Sequence, residues 1–342
     1  MLNFVKRVAA VAIVALSLSA CSVPAQENGG DGTLVPSSLE PRALPERTVL
    51  KVSSAGSFEF MTALYVAEAF GELEKENITI EYVTLPSGDA IPALGLGQVD
   101  VSCVGIAATL FNAVADGADV RLVLPGPSSP NGDGLWVSTA YAEKPDKMGA
   151  IRIANSQGRA WLGIVPVKRY LDDIGLNLDA ADFQTLPIAD LATALELGSV
   201  DAAWLNSPAH LPFEERGTAT RVASYEGSEV ATGFAFGPRL LREEPEVGQA
   251  FIRALMRTIQ THLTADYKSN PEIVAALAKS LGLSEAQIAG GAELDFGFEF
   301  DPTLQTAAQE IWIGFGDILS YDEPLAPDAY IDPRFTQSIT VE

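Results

Sequence analysis

The sequence predicts an α/β protein of two similar lobes, each a mostly parallel sheet flanked by helices. Residues 84–100 read TLPSGDAIPALGLGQVD and residues 185–201 read TLPIADLATALELGSVD, so ten of the seventeen positions are identical without a gap. Each copy lies between two strand-like apolar runs, which indicates a strand–helix–strand unit and a parallel sheet. The chain has 342 residues, enough for two separate cores.

The repeated segment contains the residues that end a strand and bound a helix. Pro86 ends a strand because proline has no amide hydrogen for the ladder. Asp89 suits a helix N-cap, where a carboxylate accepts free backbone N–H groups. Gly97 suits the helix end, because glycine adopts positive φ freely. The second copy carries the same three residue types 101 positions later.

The chain begins with the pattern of an export signal. Lys6 and Arg7 precede an apolar run at residues 8–20, which is too short to cross a bilayer as a helix. The run ends in Leu-Ser-Ala before Cys21, and this ending resembles a bacterial lipobox. The resemblance implies a signal peptide at residues 1–20 and a lipid on Cys21, which anchors a protein without spanning the membrane. A plain secretory signal with an incidental cysteine is the alternative.

Residues 21–47 are expected to form a flexible tether. The segment is rich in proline and glycine and poor in apolar residues. Such a composition buries too little apolar surface to offset the entropy of ordering the chain. The folded body is therefore expected to begin at residue 48.

Composition excludes several classes of function. The formal net charge is −23 at pH 7, so we expect no nucleic-acid partner, because there is no basic patch to neutralise phosphates. Apart from Cys21 the only cysteine is Cys103, expected to be a buried thiol in a strand. His210 and His262 lie apart in the sequence, which indicates no metal site, no cofactor and no nucleophile–base pair.

The remaining elements follow in order along the chain. Strands are expected at residues 49–53, 79–83, 99–104, 120–124 and 135–138, with helices at residues 60–70 and 107–115. The second lobe begins with a strand at residues 151–154, a helix at residues 159–174 and the second repeat copy. A strand at residues 232–236 follows, and then helices at residues 246–264, 271–281, 285–289 and 303–319.

The order of these motifs resembles that of the solute-binding proteins of ABC importers. Gly97-Gln98-Val99-Asp100-Val101, followed by Asp116-Gly117-Ala118-Asp119-Val120, is similar to the family's "GxVDVA" stretch. Met148-Gly149 through Gly175-Leu176 to Ala202-Ala203-Trp204 is similar to its second lobe. The sulfonate, nitrate, taurine and thiamine-pyrimidine binders are most similar, over residues 48–335. Ile106 departs from the proline or polar residue that often follows the glycine there.

This resemblance implies the two-lobed type II periplasmic-binding-protein fold. The first lobe would comprise residues 48–138 and 232–342, and the second lobe residues 139–231. The implied function is an ABC-importer substrate-binding protein, monomeric and lipid-anchored at the extracytoplasmic face of the cell membrane. Its implied partners are a small-molecule ligand and a membrane permease.

The ligand is expected outside the carboxyl ends of the strands, where ligands of open α/β sheets bind. Four loops of small, polar and aromatic residues are predicted there, one of them at the N-terminus of the helix at residues 159–174, which would favour polar or anionic groups. Glu59, beside the first loop, could bond an amino group or simply be a solvated helix residue. The expected ligand-binding residues are Ser54, Gly56, Ser57, Phe58, Gly105, Ile106, Ser156, Gln157, Trp161, Asn206, Ser207 and Thr232.

Two ligand classes stay open. The uncharged donors of these loops fit a sulfonate or related oxyanion, which is favoured, and they also fit a flat heteroaromatic such as a thiamine-pyrimidine precursor. An enzyme on the same fold and a sensory binding protein are the alternative functions. Neither histidine has an evident serine or cysteine companion to form a nucleophile–base pair, so we expect a protein that is not an enzyme.

Overall fold

The computed structural model describes residues 34–128, 133–143, 151–227 and 229–341. The expected signal peptide and Cys21 lie outside these ranges. Within them, none of the helices combines the length and the apolar composition that crossing a bilayer requires.

Twelve strands and twelve α-helices form the described part of the chain. The strands are Ser37–Ser38 (β1), Thr48–Ser54 (β2), Ile78–Thr84 (β3), Val101–Gly105 (β4), Arg121–Pro125 (β5), Gly134–Ser138 (β6), Ile151–Asn155 (β7), Ala181–Thr185 (β8), Ala202–Leu205 (β9), Ala219–Ala223 (β10), Thr232–Phe236 (β11) and Ile339–Thr340 (β12). The helices are Thr62–Ala69 (α1), Ala90–Gly95 (α2), Ala108–Ala115 (α3), Thr139–Ala142 (α4), Ile164–Asp173 (α5), Ile188–Glu196 (α6), Leu211–Arg216 (α7), Pro245–His262 (α8), Pro271–Leu281 (α9), Glu285–Gly290 (α10), Thr303–Phe315 (α11) and Arg334–Gln337 (α12).

The two large sheets have the same topology. The first has the order β3-β2-β4-β11-β5 and the second the order β8-β7-β9-β6-β10. In each sheet the neighbours at the β3 or β8 end are parallel, and one strand, β11 or β6, is antiparallel to both of its neighbours. The prediction of two mostly parallel sheets flanked by helices is confirmed.

The sequence repeat is also a structural repeat. The Asp100 carboxylate accepts the Lys51 backbone N–H at 2.8 Å, and the Asp201 carboxylate accepts the Arg152 backbone N–H at 2.9 Å. Gly97 and its counterpart in the second copy both have positive φ, at 68° and 69°. The repeated aspartate thus fixes the entry to the third strand of each unit, since it ties that strand to its parallel neighbour.

Three apolar clusters fill the protein. The largest packs the first sheet against α1, α8 and α9. A second runs from α2 and α3 of the first sheet through the inner strands of the second sheet to α11. The third is small and lies between α6 and the second sheet. Of the helices that follow β11, α8, α9 and α12 therefore pack on the first lobe, whereas α11 also packs on α5 of the second lobe.

Two expected boundaries need correction. Gly134–Ser138, placed at the end of the first lobe, pairs with β9 and β10 in the second sheet, so the chain crosses before this strand. Residues 34–47, expected in the tether, pack on the first lobe. There β1 pairs with β12, Leu44 is buried, and Arg257 Nη1 donates to the Leu39 carbonyl at 2.8 Å. Distant arginines satisfy this backbone, which composition does not reveal.

Candidate functional site

A cluster of polar side chains lies where the two lobes meet, at the carboxyl ends of β2 and β9. Glu59 and Lys268 come from the first lobe, and Asp133, Asn206 and Ser207 come from the second. Glu59 follows β2, Asn206 and Ser207 follow β9, and Asp133 precedes β6, which is antiparallel to β9, whereas Lys268 lies in the short segment between α8 and α9. We call these five residues the cleft cluster.

The first-lobe half of the cleft cluster is a buried ion pair. Lys268 Nζ donates to Glu59 Oε1 and to the carbonyl of Ala292. The side chains of Glu59 and Lys268 are only 8% and 4% exposed. The second carboxylate oxygen, Glu59 Oε2, is buried and has no hydrogen-bond partner among the described residues. A buried carboxylate oxygen of this kind is costly unless a ligand or solvent satisfies it.

The second-lobe half is built around Asp133. Its carboxylate accepts Asn206 Nδ2 at 2.7 Å and the Ser207 backbone N–H at 3.1 Å. Burial raises the pKa of Asp133 to about 6, although these two hydrogen bonds act to lower it. Ser207 Oγ is buried and has no partner within the described chain. This half therefore holds its loop by one carboxylate and leaves a hydroxyl to bind something else.

Gly291 brings the two halves together. A Cβ atom at this position would lie 3.2 Å from Lys268 Nζ and 3.2 Å from Ser207 Oγ. Groups from both lobes thus converge beside Gly291. Any side chain at residue 291 would fill that space, which gives a reason for glycine there.

Aromatic rings line the adjoining part of the second lobe. Trp161 lies edge-on to Trp204, with ring centroids 6.0 Å apart, and Trp204 contacts Tyr225 at 5.0 Å. Trp161 and Trp204 are both buried. Next to the cluster, His210 is buried, stacks on Trp136 and has a pKa lowered by burial. An apolar wall beside a few polar groups is the usual composition of a small-molecule site.

A separate open pocket of about 590 Å³ adjoins this wall at Phe183, whose ring contacts Trp161. Arg159 bridges it, because its guanidinium binds Asp317 at 2.9 Å and lies over the Phe315 ring at 4.6 Å from the centroid. The lining residues are Gln157, Gly158, Arg159, Ala160, Leu178, Asp179, Ala181, Asp182, Phe183, Thr185, Phe315, Asp317 and Ile318.

The first expected loop lies beside the cleft cluster. Ser54 is buried and its Oγ donates to the Gly56 carbonyl at 2.6 Å, so its hydroxyl maintains the turn. Ser57 is exposed, and Phe58 is half-buried with its ring stacked on Phe60 at 5.3 Å. Of this loop, Ser57 and the Phe58 ring are the groups with access to solvent.

The second expected loop is mostly backbone. Gly105 pairs with Thr232 in the β4–β11 ladder and has open space where a side chain would lie. Thr232 Oγ1 is buried and has no partner in the described part of the protein. Ile106, expected at the ligand, is 1% exposed, so its side chain belongs to the core. Its carbonyl accepts Leu162 N–H at 3.4 Å across the lobes.

The third expected loop needs correction. Ser156 and Gln157 do not lie at a helix N-terminus, because α5 begins at Ile164. Residues 156–163 instead form a loop whose Trp161 makes an antiparallel bridge with Ala107 of the first lobe. Gly163 lies against the Trp161 indole, where a Cβ would come within 2.2 Å of Nε1. The dipole argument for an anion at this loop therefore does not apply.

The fourth expected loop, Asn206 and Ser207, belongs to the cleft cluster. Sequence reasoning missed Asp133 and Lys268 and considered Glu59 only as an alternative. Lys268 is distant from every repeat motif, and Asp133 lies in a proline- and glycine-rich loop.

The histidines, Cys103 and the acidic residues were the other candidates for chemistry among the described residues. No group of three or more histidine, cysteine or acidic side chains is placed there to hold a metal ion. Cys103 is buried, and burial raises the pKa of its thiol, so the thiolate is disfavoured at neutral pH. His210 lies 3.9 Å from Glu214, with no cysteine beside it.

Comparison with known proteins gives a family and a fold. The sequence profile of the family described as NMT1/THI5 like matches residues 59–266. Among curated proteins, no sequence matches the chain.

Solved structures of similar fold come from several bacteria. A ligand-binding component of an ABC-type import system from Staphylococcus aureus, with zinc bound, has a TM-score of 0.69 and 12% identity, covering 85% of this chain and 98% of that one. The aliphatic sulphonate binding protein SsuA from Escherichia coli has a TM-score of 0.63 and 18% identity, covering 83% and 92%. The nitrate-binding protein NrtA from Synechocystis has a TM-score of 0.60 and 14% identity, covering 72% and 70%. These likenesses show a periplasmic-binding-protein fold.

Proposed function

The chain belongs to the NMT1/THI5-like family, and on that premise we propose that it is the substrate-binding protein of an ABC importer. It binds a small polar organic solute between its lobes and does not transform it. The observation that carries this proposal is the convergence of Ser207 Oγ and Lys268 Nζ, from different lobes, on Gly291. A solute there contacts both lobes at once, as a ligand that drives closure must.

Binding proceeds by closure of the first lobe, residues 34–128 and 232–341, against the second lobe, residues 133–227. The solute stabilises the closed form only through contacts that the open form lacks. Cross-lobe contacts such as the Ala107–Trp161 bridge assist closure. A membrane permease then recognises the closed form.

The protein acts at the extracytoplasmic face of the cell membrane as a lipid-anchored monomer. The lipobox-like ending at Cys21 supports the anchor. Twelve residues, 22–33, separate Cys21 from the packed segment that begins at residue 34, and a chain of that length spans at most about 40 Å. The body therefore stays within about that distance of the anchoring lipid.

Two solute classes compete for the cleft. A sulfonate or other oxyanion is supported by Lys268, the cation of the cleft cluster, and by the folds of the sulphonate and nitrate binders. A flat heteroaromatic with N–H donors is supported by Glu59, Asp133 and the wall of Trp161 and Trp204.

A thermal-shift screen with scattering tests this function. The probes are methanesulfonate, taurine, nitrate and an aminopyrimidine. A bound solute should raise the melting temperature by mass action, reduce the radius of gyration and be recovered unchanged. Ser207→Ala should weaken the effect, whereas Thr220→Ala, an exposed threonine on β10, should not. Recovery of a reaction product would establish an enzyme instead, and stabilisation without compaction would refute closure.

A further inference from the structure

We propose that the Glu59–Lys268 pair selects the solute by charge, so that the cleft accepts a neutral or cationic solute with an N–H donor and rejects free oxyanions. The inference rests on the proposed function and chooses between its two solute classes. It makes Glu59 and Lys268 specificity-determining residues, although the sequence patterns do not point to Lys268.

The first step concerns the free oxygen of Glu59. Oε1 accepts Lys268, while Oε2 is buried and has no partner in the described chain. An ionised carboxylate only accepts hydrogen bonds. Whatever lies against Oε2 must therefore donate a hydrogen bond, and an N–H group of an amide, amidine or amine does so. Nitrate and a sulfonate group carry only acceptors and repel this oxygen.

The second step concerns the cation that would hold an anion. Lys268 has three N–H donors, and two of them go to Glu59 Oε1 and the Ala292 carbonyl. The pair is buried, so Glu59 already neutralises the ammonium charge at close range. One donor of Lys268 stays available for a solute acceptor. The pair thus offers one acceptor and one donor side by side, without net charge.

The third step concerns the other charges that face the pair. Asp133 lies across the cleft, and burial and the charge of Glu59 both raise the pKa of its carboxyl. The charge of Arg221 on β10 acts to lower the pKa of Asp133, and Arg221 has contacts of its own. Burial lowers the pKa of His210, which favours its neutral form. Among these groups, Lys268 is the cation nearest the free Glu59 oxygen, and Glu59 itself neutralises its charge.

The consequence is that replacing one oxygen of Glu59 should reverse the preference of the cleft between donor-bearing solutes and oxyanions. Glu59→Gln keeps the size of the side chain, replaces one acceptor oxygen with a donating amide and leaves the Lys268 charge uncompensated. The variant cleft should therefore accept oxyanions. A role for Glu59 in folding alone would not produce this inversion.

The experiment uses the full chain and four probes. Benzamidine and nicotinamide carry N–H donors, and methanesulfonate and nitrate carry only acceptors. Wild-type protein should be stabilised by at least one donor probe and by neither anion. In Glu59→Gln the affinity for the donor probe should fall roughly 10- to 100-fold, the range expected for losing a hydrogen bond to a charged group, and binding of an anion should appear.

The control is Glu81→Gln, which removes the same charge from an exposed position on β3. It should leave all four titrations at wild-type values. Stabilisation of wild-type protein by methanesulfonate or nitrate would overturn the inference, and so would a Glu59→Gln variant that gains no anion binding. Anion binding by wild-type protein with compaction would still leave the transport function standing. Conversion of a probe to another compound would overturn that function itself.

Discussion

The first and second sheets share their strand order and their single antiparallel strand, but the helices around them differ greatly. Five helices, α8 to α12, follow β11, and the largest apolar cluster joins α8 and α9 to the first sheet. The second sheet has only a small cluster of its own beside α6. Duplication therefore supplied two equal scaffolds, and the later helices made one of them the larger body.

The difference is sharpest at two glutamates after α1. Glu72 and Glu76 bind Arg257 and Arg253 of α8, in a buried network. At the positions 101 residues later stand Asp173 and Asn177, which are exposed. The network also holds the backbone of residues 39 and 42 through arginine donors. The first lobe thus carries a network of buried arginine–glutamate pairs, whereas the ion pairs between described residues of the second lobe are partly exposed.

The strand ends show the same contrast at the cleft. By register, Gly105 and Thr232 of the first sheet match Asn206 and Asp133 of the second. The first pair leaves open space and a hydroxyl, whereas the second pair forms a hydrogen bond at 2.7 Å. Identical backbones have received different side chains where a solute would contact them, which is how one fold serves many ligands.

The largest expected effect is that of Glu76→Ala. Glu76 is fully buried and binds both Arg253 and Arg257, so its loss leaves buried cations uncompensated. We expect the free energy of unfolding to fall by about 3–5 kcal/mol. Asn177→Ala, 101 positions later in the chain, removes only a cap on Ala180 and should cost about 1 kcal/mol. Urea denaturation measures both. Equal losses would refute the contrast between the lobes.

Glu72→Gln should have the next largest effect, about 2–3 kcal/mol at pH 7, and should change the response to acid. Burial acts to raise the pKa of Glu72, but hydrogen bonds from Arg257, Lys75 and His262 outweigh it and lower the pKa from 4.5 to about 2. Because the unfolded chain binds more protons between those values, this stabilisation is complete above pH 4.5 and is lost as the pH falls towards 2.

Denaturation at several pH values tests the effect of Glu72. The wild-type stability should fall more steeply below pH 4.5 than that of Glu72→Gln. Asp173→Asn, which changes an exposed carboxylate on α5, should follow the wild-type profile. A Glu72→Gln profile parallel to that of the wild type would show that Glu72 does not contribute to the loss of stability in acid.

Asp100→Asn and Asp201→Asn compare the repeated aspartates directly. Asp100 is buried and also binds Arg239 at 3.1 Å, a residue from the segment after β11. Asp201 is half-buried and binds Arg152 of its own sheet. We expect losses of about 1.5–2 kcal/mol at Asp100 and about 1 kcal/mol at Asp201. Thermal unfolding measures both, and a larger loss at Asp201 would contradict the role given to burial.

Leu96→Gln and Leu197→Gln should have the smallest effects. These equivalent leucines are 74% and 76% exposed, so each change should alter the free energy of unfolding by less than about 0.5 kcal/mol. The same denaturation assay applies. A large loss at one position only would show that a lobe buries a surface there in solution.

Local sequence patterns predicted much of the secondary structure. The strand at residues 232–236 and the helix at residues 271–281 match β11 and α9 residue for residue. The helix expected from residue 159 fails because Trp161 pairs with the other lobe, and helix propensity does not report a distant backbone partner. Within the second repeat copy, α6 begins at Ile188, so Asp190 lies in the first turn and is not the N-cap.

The sequence by itself determined the two lobes, because a gapless repeat with its breakers and apolar spacing encodes the same strand–helix–strand unit twice. It also determined the candidate loops, since the carboxyl ends of parallel strands face one edge. Tertiary structure alone decided which side chains meet there. Glu59 and Lys268 lie 209 residues apart, and only the packing of α8 and α9 on the first lobe brings the Lys268 ammonium next to Glu59.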